Sequence, residues 1–150
     1  PFGNPADARE VWNNLLRAFA AAEADPNTRA GYEVLVTQAE RRVGAWLAIA
    51  KGEPLTEDVF TGLRASKGTL TSPSFIVAAL VLGGERAVPA LNDYGNSDVE
   101  NSWLGVGVVS AALDHLGQPN PFPAPSEFDA ASFDRHLAIA QAIRDAASQV

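Results

Sequence analysis

Residues 72–91 read SPSFIVAALVLGGERAVPAL, and this stretch decides the fold. Ser72 followed by Pro73 is a helix start, because proline's fixed φ and missing N–H suit the first turn. The nonamer SFIVAALVL then runs without a charge and is apolar on nearly all sides of a helix, which predicts a central, enclosed helix. Glycines 83 and 84 close it. A further short helix is expected to end near Asn92, with a turn at YGNS, residues 94–97. Ser97 with Glu100 then reads as a capping box that opens a long helix to Leu116 and Gly117.

Working outward, the same helical grammar recurs. Asn4, Pro5 and Asp7 suit a helix N-terminus, and Trp12, Leu15, Leu16 and Phe19 lie on one stripe until Asp25-Pro26-Asn27 ends it. A second helix from Thr28 carries Tyr32, Leu35, Ala39, Val43, Trp46, Leu47 and Ala50 on one face and closes at Lys51-Gly52, so these two helices predict an antiparallel hairpin. A third begins at Thr56, with Thr56 as cap, Glu57 and Asp58 in the first turn and Leu55 stapled against Phe60, and ends near Ser66. The segment QPNPFPAPSEF, residues 118–128, holds too many prolines for helix and is expected to lie extended across the surface. The last helix runs from about Asp129 with Phe133, Leu137, Ala140, Ile143 and Ala147 inward. No run of four or more residues alternates as a strand does, so the class is all-α.

At 150 residues the chain is one domain, able to bury about 70% of its unfolded surface without a staple. It has no cysteine, which excludes a disulfide framework and any thiolate site. Eleven basic against 18 acidic side chains give a formal charge of −7, which argues against a surface that tracks phosphates and hence against nucleic acid. The longest nearly uncharged run, Thr69 to Gly84, reads as too short and too broken by Pro73 to cross a bilayer, and the first residues lack the basic-then-apolar pattern of a signal. A soluble, cytoplasmic protein without a membrane partner is expected.

GGERAVPAL at 83–91, followed by SDVENSWLGVGVVSAALDHLG at 97–117, resembles the HEAT-like repeats of the phycobilisome-lyase type. There a short helix reading roughly ERAVPAL precedes a longer one ending in AALxxLG. AALVLGG at 78–84 returns as AALDHLG at 111–117, 33 residues on, a spacing in the range of helix-pair repeats. The resemblance spans residues 72–117, with no copy of the motif in residues 1–66. A solenoid core needs at least three repeats, so the architecture expected is a compact orthogonal bundle of about six or seven helices with a HEAT-like helix-pair corner.

Candidates for chemistry are few. His115 follows Asp114 at the end of the long helix, where an imidazolium favours the negative end of the dipole. His136 lies at the edge of the last helix's apolar stripe, beside Arg135 and two residues after Asp134. Adjacent helical side chains diverge, so neither histidine forms a preformed pair with its neighbour, and no metal-binding spacing is present. A nucleophile elbow and a Walker loop are both missing, and LGVGVVSAAL lacks the third glycine of a dinucleotide site. Trp12, Trp46 and Trp103 read as core or subunit-interface residues rather than a stacking platform. Arg41-Arg42 beside Glu40 read as a solvated face.

Gly105 and Gly107, each costing up to about 1 kcal/mol against alanine inside a helix, predict a close approach by another helix or a ligand. Gly107 and Ala111 form a small-residue strip on which a helix could sit. The expectation is a non-enzymatic module that needs no cofactor and no metal and binds another protein or itself. Trp103, Gly105, Gly107, Ala111 and Phe122 on the proline arm are its binding residues. The alternative is a helical small-ligand carrier or enzyme with a pocket beside Gly105, Gly107 and Trp103, using His115 or His136 as its acid–base group.

Overall fold

The uncharged nonamer forms the axis of the molecule: helix α3, Ser72–Gly83, is buried at every residue from Ser72 to Leu80. The computed structural model describes residues 41–68 and 72–149. Six α-helices and two 3-10 turns are found there, with no strand among the described residues. The helices are α1 (Arg41–Lys51), α2 (Thr56–Arg64), α3, α4 (Val88–Asn101), α5 (Val106–His115) and α6 (Glu127–Ala147). Helix α3 touches α1, α2, α5 and α6. The outer five close a circuit of neighbours, α1 to α2 to α4 to α5 to α6 and back to α1. The all-α bundle read from the sequence is therefore what forms. The first helix, with Trp12, and the hairpin it was expected to make lie outside the described residues.

Each end of α3 follows from its residues. Pro73 occupies the second position, as the reading of Ser72-Pro73 as a helix start requires, and its missing N–H costs nothing there. Gly84 closes it at φ 53, a left-handed conformation that a side chain resists. The 3-10 turn Gly84–Ala87 follows, and Arg86 reaches back to Glu53 at 2.7 Å and Glu57 at 3.0 Å. Within the run Ser72–Asn101 an 18-residue window reaches a mean hydropathy of 1.5, long and apolar enough by length and composition alone to cross a membrane. The left-handed Gly84 nonetheless breaks the run into two helices, and the first is enclosed by protein.

Two helix starts differ from the sequence reading. Thr56 makes no capping hydrogen bond; it is the first residue of α2 after Leu55, and its Oγ1 is buried without a partner. Helix α6 begins two residues before Asp129, because Ser126 accepts from the Asp129 N–H at 3.1 Å while the Asp129 carboxylate accepts from the Ser126 N–H at 3.3 Å. Phe133, Leu137 and Ala140 are buried from α6 as its periodicity requires. Between α5 and α6 the prolines of residues 119–125 carry no helix, as expected.

The largest correction concerns the corner between α4 and α5. YGNS is no turn: α4 passes straight through it, and the expected pair of helices at 86–92 and 97–116 is instead 88–101 and 106–115. Ser97 and Glu100 therefore fall in the C-terminal part of α4 and open no helix. Gly95, which suggested a turn, serves contact, since a Cβ there would run into the ring of Phe122. The break falls at Ser102–Gly105, where Ser102 at φ 56 and Leu104 at φ 65 both take left-handed backbone. Ser102 N donates to Val99 O at 3.4 Å and Trp103 N to Asp98 O at 3.2 Å, a Schellman closure with serine where glycine is usual. Helix α5 ends the same way with the usual residue, Gly117 at φ 65.

Candidate functional site

The α4–α5 corner is built on one buried carboxylate. Asp98, 1% exposed, accepts from the Gly105 N–H at 2.9 and 3.0 Å, from the Val106 N–H at 3.1 Å and from the Tyr94 hydroxyl at 2.9 Å. An anion on α4 thus satisfies orphan donors at the first turn of α5, where the helix dipole also favours negative charge. Burial of such a group is tolerated because its oxygens are so fully engaged. Burial raises the Tyr94 phenol well above its ordinary titration range; the nearby Ser72 hydroxyl opposes this and the Asp98 charge reinforces it. The corner is held shut by these contacts.

Gly105 is the N-cap of α5 rather than an interior residue. A Cβ on it would stand 2.7 Å from Asp98 Oδ2, 2.8 Å from the Tyr94 hydroxyl and 3.1 Å from Ser72 Oγ. Gly107, in the first turn of α5, is covered by the Asp129 carboxylate from the start of α6. Ala111, one turn on, is buried on α5, which packs against α6. The close approach read from these glycines is made by the chain's own side chains, so the space beside Gly105 and Gly107 is filled. Trp103 is half-buried and stacks on Tyr94, with ring centroids 6.4 Å apart. Phe122 lies half-buried on Gly95, which anchors the proline arm to α4.

No family model, no curated protein and no solved structure matches the chain.

The two histidines lie apart in their surroundings. His115 is exposed at the end of α5 with its ring 5.6 Å from that of Phe133. His136 is half-buried, its Nδ1 2.7 Å from Ser132 O and its ring stacked on Trp46 at 6.1 Å. Asp114, beside His115, accepts from Asn120 Nδ2 at 2.9 Å. No group of three or more metal-ligating side chains occurs among the described residues. A shallow cleft of about 480 Å³ runs along Leu80, Val81, Gln141, Arg144 and Asp145, where Arg144 Nη1 donates to Val81 O at 2.7 Å.

Sequence reading passed over the residues that the corner leaves outside. Leu104 is 78% exposed, Phe128 77% and Val99 54%. Gly107 meets Asp129, so the start of α5 lies against the start of α6, and the Trp103-Leu104 loop and Phe128 emerge at the same end. The signal that was available is electrostatic. From Ala87 to Asp134 the sequence holds no lysine or arginine, only Asp93, Asp98, Glu100, Asp114, Glu127, Asp129 and Asp134.

Proposed function

We propose that the protein is a helical protein-protein interaction module that acts without chemistry of its own. Leu104 carries this reading. A large apolar side chain is displayed to solvent on left-handed backbone that costs about 1 to 2 kcal/mol for a non-glycine residue. Strain of this kind persists where the surroundings hold it, and here the Asp98 bonds on either side hold it. Exposed apolar side chains grouped at one end of a molecule are a usual mark of an interaction face. The binding face is Trp103 with Leu104, and Gly105, Gly107, Ala111 and Phe122 act beneath it by packing the corner.

A HEAT-like corner formed by α3, α4 and α5 belongs to the same reading. Its support is that AALVLGG and AALDHLG close their helices on Gly84 and Gly117, both left-handed and 33 residues apart. The test is cross-linking in the native host followed by purification and native mass measurement. A protein partner in fixed stoichiometry is the expected result. A monomer whose melting temperature is raised by a small molecule, with no protein partner, would overturn it.

A further inference from the structure

We infer that the end of the molecule displaying Val99, Trp103, Leu104 and Phe128 docks a basic, amphipathic segment of another protein. The inference rests on the interaction-module reading and adds the chemistry of the partner. Three large apolar side chains stand more than half exposed there, with the half-buried Trp103 between Val99 and Leu104. Glu100, in the last turn of α4, and Glu127, beside Phe128, are both exposed. No lysine or arginine lies between Ala87 and Asp134, the stretch that supplies this end; the nearest in sequence are Arg86 and, farther along α6, Arg135. Arg86 is already paired with Glu53 and Glu57.

An end that displays exposed apolar side chains together with exposed glutamates and no lysine or arginine from Ala87 to Asp134 is complementary to an apolar stripe flanked by lysine or arginine. A second copy of the chain would bring these glutamates against identical ones, and like charges opposed across an interface disfavour that pairing. An acidic or purely polar partner would meet either repulsion or an unpaired apolar face.

The probe is a synthetic helix-forming peptide of leucine and lysine with all leucines on one face. Two controls accompany it: the same pattern with glutamate for lysine, and the same composition scrambled to remove the apolar face. Titrated into the full chain, the lysine peptide is expected to bind saturably and to weaken as salt shortens the screening length. Both controls are expected to fail. Leu104→Gly is expected to lose about tenfold in affinity, as for a central apolar anchor, with no fall in melting temperature because glycine relieves the left-handed backbone. Glu100→Gln combined with Glu127→Gln is expected to weaken binding and flatten its salt dependence.

Equal binding of the glutamate or scrambled peptide would overturn the inference, as would unchanged affinity in Leu104→Gly. A native mass showing a dimer that Leu104→Gly dissolves would overturn it in favour of self-association. In either case a partner recovered by cross-linking would leave the module reading standing, so the two failures are distinguishable.

Discussion

Asp98 on α4 and Gly105 at the start of α5 are joined by two hydrogen bonds, 2.9 and 3.0 Å long, from one backbone N–H to both oxygens of one buried carboxylate. The carboxylate makes the corner possible. A helix interrupted by Ser102 and Leu104, neither suited to left-handed backbone, would otherwise leave donors of α5 orphaned in the interior. Asp98→Ala is expected to destabilise the fold by about 2 to 3 kcal/mol, the loss of a helix cap plus charge-assisted bonds. Denaturant unfolding measures this, and a change under about 0.5 kcal/mol, the size of an ordinary surface substitution, would show that the corner holds without it.

Tyr94 gives that corner a pH signature. Its phenol titrates above the ordinary value, first because it is buried. The native state therefore keeps a proton that the unfolded chain releases once pH passes about 10, so stability is full below that pH and declines above it. Unfolding followed from pH 8 to 11 is expected to show a decline that is shallower in Tyr94→Phe. Parallel curves for the two proteins would contradict the assignment.

Gly95 and Phe122 are expected to be coupled. Gly95→Ala places a methyl group where the Phe122 ring lies and is expected to cost about 1 to 3 kcal/mol by overpacking. In a Phe122→Ala background the same change is expected to be neutral or to stabilise by up to about 1 kcal/mol, since alanine is the better helix former. A double-mutant cycle reads the difference. Additive effects would mean that the proline arm is not seated on α4.

Ser102→Gly is expected to raise stability, by about 0.5 to 1 kcal/mol once glycine's greater unfolded-state freedom is set against the relief of left-handed strain. Gly117→Ala is expected to do the reverse at the matching position of α5. A Cβ at Gly117 meets nothing within 4 Å, so its cost is conformational alone. Thermal melts of the two variants check both signs.

The central helix, the all-α class and the stripe of α6 were legible because burial follows apolar periodicity, which sequence displays directly. The α4–α5 corner was not. Sequence reading places breaks at glycine and asparagine, and here Gly95 and Asn96 sit inside a helix while the break falls on Ser102 and Leu104. What decides it is the contact of Phe122 with Gly95 and of Asp98 with Gly105, pairs separated by 27 and 7 residues that no local pattern reveals. Ser97 and Glu100 satisfy the spacing of a capping box, but an uninterrupted helix through Gly95 leaves them no helix end to cap. Gly105 and Gly107 were legible as sites of close approach. That the approaching groups would be the chain's own carboxylates, with Leu104 left outside, was not.

Trp103 is the natural reporter for the central claim, that this end of the molecule is the binding face. With Trp12→Phe and Trp46→Phe it becomes the chain's single tryptophan, half-buried beside the exposed Leu104. Its emission is to be followed while the leucine–lysine peptide is titrated in and calorimetry records binding in parallel. A blue shift that saturates with the calorimetric isotherm is expected, as the peptide covers Trp103, and it is expected to be lost in Leu104→Gly. Full calorimetric binding with the Trp103 emission unchanged would place the partner elsewhere on the surface and contradict that claim.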